Sequence, residues 1–62
     1  MNKYVIYPMK GADITIKADG YSICDNIIDF VEVYMDNNNP RKRTVAIFNY
    51  DNIIGLEEIN ES

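Results

Sequence analysis

Histidine is absent from this 62-residue chain, which removes both the commonest general base and the commonest zinc ligand. The single cysteine, Cys24, stands among Ser22, Asp25 and Asn26, none of which would lower a thiol pKa. It reads as a small apolar filler, buried or half-buried, and not as a nucleophile. Asp25, Asp29, Glu32 and Asp36 would share a face only on a helix, whereas on a strand Asp29 and Glu32 point opposite ways. The segment also lacks the oxygen-rich loop with a central glycine that an EF-hand calcium site requires. Asp36-Asn37-Asn38-Asn39 has oxygens for weak cation binding but equally the composition of a plain turn. No catalytic residue, no metal site and no cofactor is expected.

Two other groups of side chains point to recognition instead of reaction. Five tyrosines and two phenylalanines are too many for every ring to be buried in so small a core. A tyrosine at a partly wet position offers a large apolar area with a polar tip, which suits an interface. Tyr7, Tyr21, Tyr34 and Tyr50 are the candidate contact residues of this kind, although strand-face packing uses tyrosine too. The second group is Arg41-Lys42-Arg43, half of all the basic residues in a chain of net charge −4. Outside this run ten acidic residues face three basic ones, so the expected picture is an acidic body with one basic turn. That balance argues against general binding to nucleic-acid phosphates, which needs clustered cations. A simpler role for the run is a charged hairpin that keeps a strand edge soluble.

The elements that must position these residues read mainly as strands. Lys3 to Met9 is rich in Tyr, Val and Ile, with Pro8 marking an edge or bend and Lys10-Gly11 a turn. From Ala12 to Asp19 the alternation is strict, with Ala12, Ile14, Ile16 and Ala18 on one side. Ala18-Asp19-Gly20 reads as a turn, with Gly20 free to take positive φ, and Tyr21 to Cys24 as a short strand with Tyr21 and Ile23 inward. Residues 26–36 fit two patterns. Their β-branched and aromatic residues favour a strand with two apolar faces, and the stripe Ile27, Ile28, Val31, Tyr34, Met35 permits a helix capped by Asp25. Strand is preferred because its neighbours are strands. After a polar turn over Asp36 to Pro40, Arg41 to Asn49 forms a strand suited to a central place or to cover by a partner. A final short strand surrounds Gly55, and residues 57–62 read as a polar tail.

The expected fold is therefore a single all-β domain: about five short antiparallel strands in a meander, curling into a small open barrel or half-barrel. An α+β domain with a helix at 26–36 is the alternative. At 7.2 kDa such a chain buries only about 60% of its extended surface, too little scaffold to frame a reactive cleft of ~300 Å³ or more. Enzyme activity is not expected. No apolar run approaches a membrane span and the amino-terminal stretch is too short for a signal peptide, so a cytoplasmic location without membrane contact is expected. With no internal disulfide, pairing of two copies is the natural brace, and a homodimer is expected.

The string Val45-Ala46-Ile47-Phe48-Asn49-Tyr50-Asp51-Asn52-Ile53-Ile54-Gly55-Leu56-Glu57, preceded by Ala18-Asp19-Gly20-Tyr21, resembles small uncharacterised β-rich proteins encoded by phages and prophages of Gram-positive bacteria. The likeness spans roughly residues 4–57 and consists of packing and turn residues. It implies a phage setting, in which proteins of this size act as host-takeover or anti-defence factors by binding a bacterial immune protein or sequestering its signal. The expected function is thus a non-enzymatic inhibitor or modulator of a bacterial host protein, using the tyrosines and the 36–43 hairpin. Two other classes stand beside it. One is a nucleic-acid-binding small barrel using Arg41, Lys42 and Arg43. The other is a nucleotide-signal binder at a dimer interface, with Arg or Lys on phosphates and Tyr on the base.

Overall fold

In the computed structural model, which describes residues 1–60, six strands follow one another: β1 (Asn2–Pro8), β2 (Ile14–Ala18), β3 (Gly20–Cys24), β4 (Ile27–Asp36), β5 (Asn39–Asn49) and β6 (Ile53–Ile59). A 3₁₀ turn, Tyr50–Asn52, links the last two, with the Asn49 side chain accepting from the Asp51 N–H. The strands form two antiparallel sheets, ordered β2-β1-β6 and β3-β4-β5, which do not close into a barrel. The fold is all-β.

Residues 27–36 settle as a strand and the helical alternative falls, because the β-branched and aromatic side chains find neighbours on both sides, β3 and β5. The described residues hold six strands, in keeping with the expected meander of about five. The extra length lies at the carboxyl end, where residues 57–59 are not tail but pair in β6 with β1, Val5 opposite Glu57 and Lys3 opposite Ile59. Of the rest of the expected tail, Asn60 is exposed and follows β6, and Glu61 and Ser62 lie outside the described residues. Residues 18–20 are likewise no turn. Gly20 opens β3, and Asp19 is a bend whose N–H still donates to Val31 O at 2.8 Å, so β2 and β3 are one bent run that passes from the first sheet to the second.

Two hairpins are set by asparagine. Asp25-Asn26 (φ 50° and 66°) and Asn37-Asn38 (φ 50° and 67°) place both central residues in the left-handed region, the geometry of a type I′ turn whose twist matches the strands. In the first sheet the Tyr7 ring lies over Gly55 on β6, where a Cβ would come within 3.3 Å of Tyr7 Cδ2.

The core is thin. Tyr4, Ile6, Ala18, Ile28 and Phe30 are buried, with Ile16, Ala46, Phe48, Ile53 and Leu56 packed against them. Tyr4 meets the Tyr21 ring edge-on at 5.6 Å and the Phe30 ring at 5.2 Å, and Phe30 meets Phe48 at 6.0 Å. Tyr21 and Ile23 do lie on the core side of β3, opposite Phe30 and Ile28, yet are 44% and 48% exposed. Because β3 is an edge strand, the cover over β4 does not extend across it.

Candidate interaction surface

β4 and β5 run ten and eleven residues, and beyond Val31 the hairpin loses its third strand, because β3 pairs only with residues 27–31. Past this point a two-stranded arm projects. Asp19 terminates the three-stranded part by accepting the Val33 N–H on its carboxylate at 2.6 Å. From Val33 through Thr44 every residue is exposed.

The two faces of the arm are set by a bulge. Ala46 stands opposite Phe30, but Thr44 stands opposite Val31, so β5 carries one extra residue, Val45. A one-residue shift reverses which side chains face which way. With the bulge, Arg43 is opposite Glu32, Lys42 opposite Val33 and Arg41 opposite Tyr34. Glu32 and Tyr34 alternate with Phe30 and therefore share its core-side face. There the Arg43 guanidinium pairs with the Glu32 carboxylate and lies 4.8 Å from the centre of the Tyr34 ring. Arg41 Nε is 3.6 Å from Asp36 Oδ2 at the tip. Lys42 projects from the opposite face, beside Val33.

Thus the basic run is not a turn but a strand segment. It does not present three cations to one surface. Two arginines are held by carboxylates on one face and the lysine lies on the other. The run, with Pro40 and the bulge, also occupies the outer edge of the second sheet, where such residues blunt strand pairing with other chains. β5 is not the central strand its two apolar faces suggested. That place belongs to β4.

The tyrosines scatter. Tyr34 lies in the arm beneath Arg43, and Tyr21 closes the rim of the core. Tyr7 is half-buried on the outer side of the first sheet, donating to Glu57 Oε1 at 3.2 Å. Tyr50 sits exposed in the 3₁₀ turn, its N–H donating to Asn26 O at 2.6 Å. Only Tyr34, Arg41 and Arg43 of the seven candidates form one cluster. Burial raises the Tyr7 phenol above its ordinary value of 10.0, and the hydrogen bond to the Glu57 carboxylate, the Glu57 charge and that of Asp13 act in the same direction. Burial likewise raises Tyr4, which lies in the core.

The outer face of the second sheet went unnoticed as a site, although its signal, the second apolar face of residues 27–35, was legible. Ile27, Val33, Met35, Val45 and Ile47 are each at least 40% exposed there, around the half-buried Asp29. Asp29 Oδ1 is shielded from solvent and has no hydrogen-bond partner. Cys24 is exposed at the end of β3, so it fills no core space. The carboxylates once grouped with Asp29 divide between faces. Among the described residues no three potential ligands are gathered to hold a metal ion.

Two open grooves lie on the surface. One, of about 430 Å³, is lined by Pro8, Met9, Lys10 and Asn52. The other, of about 310 Å³, lies where β3 leaves β4, between Gly20, Ser22, Val31, Val33 and Lys42. Among the described residues no helix is long and apolar enough to cross a membrane. No known protein family, curated protein or solved structure matches the chain.

Proposed function

We propose that the chain is a non-enzymatic interaction protein of phage or prophage origin that binds and modulates a bacterial host protein, acting in the host cytoplasm. The observation that carries this reading is the arm. Twelve consecutive residues, 33–44, are held in regular strand pairing while contributing nothing buried to the core. Exposed ion pairs and cation–π contacts of this kind add only about 0–1 kcal/mol each to stability. Their effect is to hold Tyr34, Arg41 and Arg43 in place, and Tyr and Arg are the residue types that most often dominate binding energy at protein interfaces. The phage setting and the choice of a defence protein as target rest on the sequence resemblance alone.

The test is capture from a bacterial lysate, with the tagged wild-type chain compared against Tyr34→Ala and Arg43→Ala chains of unchanged circular dichroism. A host protein retained by the wild type and lost by both variants, then bound directly after purification, supports the reading. Retention that ignores both substitutions overturns it. A gel shift of duplex or single-stranded DNA at physiological salt, abolished by changing residues 41–43 to alanine, would move the assignment to nucleic acid.

A further inference from the structure

We propose that the outer face of the second sheet is covered by a second copy of this chain. Five apolar side chains on one face, each two-fifths or more exposed, make a patch of a few hundred Å², the range in which exposed apolar surface marks an interaction site. The charges on this face identify the occupant. It carries one carboxylate, the half-buried Asp29, and one ammonium, the exposed Lys42, which makes no ion pair among the described residues. In register, Lys42 stands beside Val33. Asp29 and Val33 lie two residues to either side of Val31, about 7 Å each way along β4.

A two-fold axis between the facing sheets, running across the strands at Val31, therefore sets Asp29 opposite the partner's Val33 and next to the partner's Lys42. The same operation repeats the contact in reverse, as an isologous interface requires. It also seats Ile27 against the partner's Met35. An axis along the strands would instead bring Asp29 against the partner's Asp29, so the charges select the antiparallel arrangement. Sheets stack about 10 Å apart, a gap that a lysine side chain bridges. The face is about 33 Å long and at most three strands, about 14 Å, wide. That places the contact at the lower end of specific interfaces, so dimerisation is expected to depend on micromolar concentration. The opposite face, with Tyr34, Arg41 and Arg43, stays free in this dimer, and the proposal does not rest on what that face binds.

Light scattering across a dilution series of the full chain tests it. A dimer is expected at about 100 µM, dissociating on dilution. Ile47→Lys and, separately, Lys42→Asp at an exposed site should weaken it about tenfold or more while leaving the circular dichroism spectrum unchanged. Combining Lys42→Asp with Asp29→Lys should restore association. A wild-type monomer at about 100 µM, or a dimer indifferent to both Ile47→Lys and Lys42→Asp, overturns the proposal. So does a charge exchange that fails to restore a dimer while the chain remains folded.

Discussion

The two halves of β4 obey the same alternation and end in different states. In the near half Ile28 and Phe30 are wholly buried, whereas in the far half Tyr34 and Met35 are 36% and 63% exposed. The residue types hardly differ. What differs is cover, since the sheet β2-β1-β6 lies over the near half alone, and burial, not apolar character, decides what a side chain contributes. The near half makes the protein fold and the far half is free for something else.

Substitutions along β4 are the most direct way to break that contrast. Phe30→Ala should cost about 3–5 kcal/mol, enough to unfold much of a domain this small, with Met35→Ala staying within about 0.5 kcal/mol in the same urea titration. Equal losses at the two positions would mean the arm is packed after all. Asp19→Ala, at the boundary, removes the acceptor for the Val33 N–H and should cost about 1 kcal/mol, most of it recovered by Asp19→Asn. Asn38→Ala removes the short polar side chain that lets asparagine tolerate the left-handed region and should cost about 1 kcal/mol locally. Hydrogen exchange should then show faster exchange in residues 33–44 and little change at Phe30, whereas Asn38→Gly should leave the arm intact.

The smallest effect concerns the near half at high pH. The folded state raises the Tyr7 pKa above the unfolded value, so its contribution is complete below pH 10 and is lost as the pH climbs through the folded pKa. Unfolding midpoints should fall above about pH 10, less steeply in Tyr7→Phe. A phenolate absorbance titration in which no tyrosine ionises late would contradict this.

Much of this division was legible in the sequence because local chemistry wrote it there. Asp25-Asn26 and the asparagines after Asp36 announce their turns, and β-branched residues at 27–33 mark β4 against a tempting helical stripe. Long-range pairing left no such mark. Nothing near Glu57 says that it will lie beside Val5, so β6 was cut short. The bulge at Val45 was equally silent, since an extra residue shows only when both strands are aligned, and with it went the placement of Arg41, Lys42 and Arg43. The inward side of Tyr21 is legible but the extent of its exposure is not, because periodicity reports direction and not coverage.

The pairing of β1 with β6 also has a temporal side. β1 ends at Pro8, and its second neighbour begins only at Ile53. At elongation rates of about 5–20 residues per second, β1 waits on the order of 2–10 seconds for that neighbour. During this interval Tyr4, Val5 and Ile6 present an unpaired apolar edge, a hazard for stray pairing between nascent chains. Pairing of β1 with β6 is therefore expected to wait on translation of residues 53–59.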